Sequence, residues 1–141
     1  MEKFLKEYKA LLIIAILTIG VMMFIYYKGK KSGAINIPDA PYPDGTQGIP
    51  AGFNPNVLAD ELHSVMSGLF TLSGTKDKTW RKLLDLPTND MVVAVYNTFN
   101  SKYGSLGKGS LTNWINDEYY YDFASGIKTK VLQRLKSLRL T

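Results

Sequence analysis

Eighteen consecutive residues without a charge, Ala10 to Tyr27, constrain this chain more than any other feature. A water-soluble domain has room for so apolar a helix only at its centre, and no other segment of the chain is apolar enough to surround it. As a helix the run would be about 27 Å long, close to the roughly 30 Å hydrocarbon core of a bilayer. Lys3, Lys6 and Lys9 precede it, Lys28, Lys30 and Lys31 follow it, and Tyr26 and Tyr27 stand where an interfacial aromatic belt would stand. A cleaved signal peptide starts in a similar way. This run is long for that role, and no small-residue cleavage site closes it. The expectation is a transmembrane anchor over residues 1–31 and a single-pass membrane location. Orientation stays open, because three lysines flank each side.

Residues 32–56 carry five prolines, Pro38, Pro41, Pro43, Pro50 and Pro55, alternating with Gly33, Gly45, Gly48 and Gly52. Proline removes backbone donors and glycine raises backbone entropy, so neither a helix nor a central strand survives there. The stretch reads as a semi-extended, flexible linker.

From residue 57 to 141 the pattern is helical throughout. Asn54-Pro55 supplies an N-cap and a first-turn proline, and Val57, Leu58, Leu62, Val65, Met66 and Leu69 recur at helical spacing. Thr75 is a cap for a second helix with Trp80, Leu83 and Leu84 inside, ending before Pro87. Thr88 caps a third helix that Gly104 stops, and Ser110 caps a short fourth. A fifth is expected from about Tyr120 to Leu140, with Phe123, Ile127, Val131, Leu135 and Leu138 facing inward. The fold class is therefore all-α: one transmembrane helix plus a five-helix domain.

The net charge of +5 is distributed unevenly. The folded middle, 57–126, has six basic and eight acidic residues, whereas 127–141 has five basic and none acidic. A slightly acidic core argues against nucleic acid as a partner. The absence of cysteine excludes disulfides and thiolate metal sites, and the single histidine, His63, excludes a histidine-clustered one.

The segment Ala59-Asp60-Glu61-Leu62-His63-Ser64-Val65-Met66-Ser67-Gly68-Leu69 resembles the first helix and loop of an annexin repeat, whose signature is A-x-x-L-x-x-A-M-K-G-[LF]-G-T. Thr88 to Gly104 is similar to the long third helix of that repeat, and Leu111 to Glu118 to its fourth. Ser67 stands at the signature lysine, Phe70 to Ser73 intervene before Gly74-Thr75, and there is one repeat where the family usually has four. The resemblance implies an annexin-like five-helix domain. It also implies a calcium site in which Met66, Gly68 and Gly74 offer backbone carbonyls and Glu118 a carboxylate, oxygen ligands of the kind calcium takes.

No catalytic constellation accompanies these features, so the chain is expected not to be an enzyme. Its partners are then the lipid bilayer and a protein, either another chain or further copies of itself. The expected function is a membrane-anchored structural or binding module. The internal membrane of a bacteriophage virion is one setting, and a host cell membrane another. Two alternatives follow from the same residues: a calcium-dependent module for anionic lipid, and an anchored hydrolase using Asp60, Glu61, Asp117 and Glu118, since paired acids can share general acid and base roles. His63 reads as a packed side chain, Tyr119-Tyr120-Tyr121 as core aromatics with wet tips, and the basic last helix as a core helix with a solvated face.

Overall fold

Local capping chemistry explains where most of the helices of the domain begin. In the computed structural model, which describes residue 9 and residues 14–24, 36–68, 71–121 and 125–141, helix α1 spans Pro55–Ser67. The side chain of Asn54 accepts the N–H of Asn56 at 3.0 Å, and Pro55 costs nothing in the first turn, where its missing donor would have had no partner. Helix α3, Asn89–Tyr103, starts on Thr88, whose hydroxyl accepts the N–H of Met91 at 3.2 Å. The short α4, Leu111–Asp117, starts on Ser110, which serves Asn113 in the same way.

The other two helices begin differently from the sequence expectation. Helix α2, Ser73–Leu84, starts before Thr75 and has no side-chain cap; the carbonyl of Leu72 accepts the N–H groups of Thr75 and Lys76. Helix α5, Ile127–Ser137, is shorter than the predicted Tyr120–Leu140. Residues 119–121 are not helical, and Gly126 precedes α5 with φ +60°, a left-handed conformation that an L side chain resists. Gly104 does not stop α3 outright. It opens a 3-10 turn, Gly104–Leu106, and the reversal falls at Gly107, with φ +103°. The described residues are all-helical and contain no strand.

The chain divides into two units, 1–34 and 35–141. In the first, residues 14–24 are helical, and the Thr18 hydroxyl donates to the carbonyl of Ile14 at 2.8 Å. Residues 10–13 and 25–27 of the proposed span, Ala10 to Tyr27, lie outside the described residues; among those described, no helix is long and apolar enough to cross a membrane.

In the second unit α3 is the central element. Asp90 to Tyr96 are buried without a break, as are Asn97, Phe99 and Asn100. Helix α1 packs on α2 and α3, α2 also on α5, and α5 on α4. Trp80, Phe99, Leu62, Leu83, Leu111, Ile115, Ile127 and Leu135 are fully enclosed. Truncating one of these to alanine costs on the order of 2–5 kcal/mol, so the core accounts for much of the fold's stability.

Residues 36–54, within the semi-extended, flexible linker expected over 32–56, lie along α3. Asn97 exchanges two hydrogen bonds with Ala40: its Oδ1 accepts the Ala40 N–H and its Nδ2 donates to the Ala40 carbonyl, both at 2.9 Å. The carboxylate of Asp90 accepts Asp44 N–H at 3.0 Å and Gly48 N–H at 2.9 Å, and the Thr88 hydroxyl donates to the Gly48 carbonyl at 2.6 Å. Ala40, Tyr42 and Phe53 pack against the core. Composition foretold the lack of secondary structure here. It did not foretell that side chains of α3 would satisfy the backbone groups such a segment leaves open.

Candidate functional site

The residues with most chemistry gather where α4 ends. Glu118, the C-cap of α4, is buried, and its Oε1 lies 2.6 Å from Nζ of Lys76 on α2. The Lys76 ammonium also donates to the Tyr119 carbonyl at 2.9 Å. Lys108, from the turn before α4, approaches the other carboxylate oxygen at 3.6 Å and sits 4.7 Å above the Trp114 ring. Lys128 on α5 donates to the carbonyls of Asn116 and Glu118 at 2.8 and 2.9 Å. Burial holds the Lys128 ammonium below the ordinary lysine range, an effect Glu118 and Asp117 partly offset. Three cations thus meet the carbonyl end of α4, where the helix dipole favours positive charge.

This geometry bears on the calcium ligands inferred from the annexin resemblance. Glu118 is present and buried, but a lysine ammonium occupies its carboxylate. A calcium ion at Glu118 would have to displace that ammonium or share the oxygen with it. The Met66 side chain is buried in the last turn of α1, Gly68 is the extended C-cap of α1, and Gly74 lies in the first turn of α2. Among the described residues no three His, Cys, Asp or Glu side chains gather as metal ligands.

The carboxylates proposed for a hydrolase are separated in the same way. Successive helical residues point about 100° apart, so Asp60 and Glu61 face different neighbours. Asp60 accepts the Lys102 ammonium and, at 2.7 Å, the Tyr103 hydroxyl, both from α3. Glu61 accepts Lys82 of α2 at 2.7 Å. The hydrogen bond from Lys102, seconded by that from Tyr103, lowers the Asp60 pKa below the usual carboxylate range. Asp117 is exposed while its neighbour Glu118 is buried.

His63 belongs to an aromatic stack. Its ring lies parallel to Tyr103 at 3.9 Å, and the edge of Trp114 meets it at 5.3 Å. Partial burial lowers the His63 pKa, with nearby Asp60 acting weakly the other way. Of the three consecutive tyrosines, Tyr120 turns inward, its ring 5.0 Å from Trp80 and its hydroxyl donating to Asp77. Tyr119 and Tyr121 are exposed and meet edge to face at 5.0 Å.

The basic stripe of α5 is largely engaged within the domain. Besides Lys128, Arg134 donates to the carbonyls of Leu84 and Leu86 at the end of α2, and Lys130 to that of Ser125 at 3.2 Å. Burial pulls the Arg134 guanidinium down from its usual value. An open groove of about 680 Å³ runs between α1 and α2, with Val57 and Val65 among its lining residues and Lys78 and Lys82 on its α2 side.

Sequence reasoning missed Lys76, Lys108, Asp90 and Asn97 as positioning residues. Asp90 and Asn97 carried a signal: both are polar, they flank the apolar run Met91–Tyr96 and stand two turns apart on one face of the helix, and Gly104 continues the row. Compared with family models, with curated proteins and with solved structures, the chain matches none.

Proposed function

We propose that this chain is a single-pass, membrane-anchored structural or binding module without catalytic activity, whose helical domain is held at a bilayer surface to engage a protein partner or another copy of itself. One observation carries the reading. Helical residues 14–24 expose Ile14, Ile16, Leu17, Ile19, Val21, Met22, Met23 and Phe24 on every side, each at 56–67% of full accessibility. Eight large apolar side chains around one helix cost roughly 1.5–3 kcal/mol each in water relative to burial, which lipid would recover.

The domain supports the second half of the proposal. Asp60 and Glu61 both line the groove between α1 and α2, but each is held by a different lysine, as is Glu118, which favours binding over a shared acid–base role. The annexin-like pattern of α1 and its loop is a further support for binding over catalysis.

The test is fractionation of the full chain expressed with its apolar segment intact. It is expected to stay in the membrane pellet through an alkaline carbonate wash and to leave with detergent. Replacing Leu17 and Ile19 by lysine is expected to move it into the soluble fraction. Release of the unaltered chain by carbonate would overturn the proposal.

A further inference from the structure

Helices α1 and α2 leave one face of their packing uncovered. They run antiparallel along the open groove of about 680 Å³: Val65 and Thr75 line one end, and a smaller cavity of about 280 Å³ carries it past Val57 to Leu86 at the other. Val57, Glu61 and Val65 stand in one row on α1, and Lys78 and Lys82 in one row on α2. Val57 is 58% exposed, an apolar side chain that a contact would cover. The charges lining the groove are segregated. The α1 wall carries Asp60, itself held by Lys102 of α3, and Glu61; the α2 wall carries Lys78 and Lys82. Lys82 reaches Glu61 at 2.7 Å with both side chains well exposed, while Lys78 has no ion-pair partner among the described residues.

A face that is acidic along one edge and basic along the other is complementary to itself. A two-fold axis lying across the helices would set α1 on α1 and acid on acid. An axis along the groove sets α1 of each copy on α2 of the other at the same height, and Glu61 then meets Lys78 of the second copy. From this self-complementarity we infer that the groove is the contact between two copies of this chain, an isologous pairing in which α1 and α2 of both copies form a four-helix arrangement. The inference names the surface for the self-association in the reading above and rests on that reading. The pairing covers Val57 in both copies, gives Lys78 a carboxylate, and lays the lysine stems over the apolar row. The charges select the orientation, and the covered apolar surface holds the copies together.

The experiment uses the full chain in lipid vesicles and a short bis-maleimide crosslinker. The chain has no cysteine, so Val57→Cys gives one site beside the axis, and Leu106→Cys, outside the groove, reports chance collision. Held together in the pair, residue 57 is expected to crosslink to its copy about tenfold faster than residue 106. Added to Val57→Cys, Glu61→Lys/Ser64→Lys makes the face basic on both edges, and Lys78→Glu/Lys82→Glu makes it acidic on both. Each is expected to slow crosslinking about tenfold by itself, and a mixture of the two to restore it, because opposite faces then meet. Recovery in the mixture also shows that both variants fold. Crosslinking at residue 57 no faster than at residue 106, unmoved by both charge changes, or not restored in the mixture would overturn the inference. A carbonate wash of the same vesicles separates the two claims. A chain that stays in the pellet without crosslinking at residue 57 removes the groove contact alone, whereas one that washes off yet crosslinks there removes the anchor alone.

Discussion

Helix α2 makes two lysine–glutamate pairs of nearly equal length and opposite surroundings. Lys76 meets Glu118 at 2.6 Å with side chains 5% and 8% exposed; Lys82 meets Glu61 at 2.7 Å with side chains 57% and 38% exposed. The contact distance is thus uninformative about energy. In water, two opposite charges at this separation gain little, and ordering two long side chains offsets the gain. In the interior each charge has lost its hydration, so either one left alone is costly. The first pair is a structural commitment joining α2 to the end of α4, and the second is a surface contact.

Removing one buried partner should give the largest effect. Lys76→Ala leaves the Glu118 carboxylate with Lys108, at 3.6 Å, as its ion-pair partner among the described residues, and is expected to lower unfolding stability by about 3–5 kcal/mol in a denaturant titration. A loss under about 1 kcal/mol would mean that water reaches Glu118 and that the comparison fails. The double variant Lys76→Met/Glu118→Leu sharpens the point. With both charges gone and the volume kept, stability should return to within about 2 kcal/mol of the parent, because the penalty belongs to the unpaired charge. A double variant no better than the single would show that the Lys76 bond to the Tyr119 carbonyl is the dominant contribution.

Between the two extremes lies Asp60 with Lys102, beside the His63 stack, and here pH separates the contributions. Burial depresses the folded-state pKa of His63, so the unfolded chain binds more protons and stability rises with pH across that window. Stability is therefore expected to fall as pH drops below about 6.5, the ordinary imidazole value. The lowered pKa of Asp60 has the same sign in a more acidic window: its contribution is present above the usual carboxylate range and is lost as pH falls through it. His63→Phe keeps a ring against Tyr103 and should flatten the melting temperature between pH 7 and 5 while leaving the acid limb in place. An unchanged slope there would assign the titration to another group. The smallest effect belongs to the surface pair: Lys82→Ala should change stability by less than about 1 kcal/mol, and that change should shrink further in molar salt.

Much of the helical layout was legible from particular residues. Asn54-Pro55, Thr88 and Ser110 act as caps in the structure as their chemistry requires, because an N-cap is a contact between residues two or three apart. The starts of α2 and α5 were not legible, because neither has a side-chain cap: the Leu72 carbonyl opens α2 and left-handed Gly126 precedes α5. The non-helical 119–121 stretch meets α2 instead, through Tyr120 on Trp80 and the Tyr119 carbonyl on Lys76, contacts between residues about 40 apart. The candidate site shows the same division. Glu118 was singled out as a metal ligand; no local signal announced that a lysine from another helix would meet it. The basic face of α5 was read as solvated, yet Lys128 and Arg134 hold the carbonyl ends of α4 and α2.

By itself the sequence determined the periodic and the local: an uncharged run at the start, an all-helical pattern after the prolines, and the caps at three helix starts. Each depends on residues within a turn or two of one another, where chain connectivity supplies the proximity. Only the tertiary structure decided which charges are buried, which carboxylates are taken by lysines, and that the proline-rich stretch lies on α3. Those outcomes depend on groups far apart in the chain competing for the same backbone and side-chain partners, and that competition is settled only when the core closes.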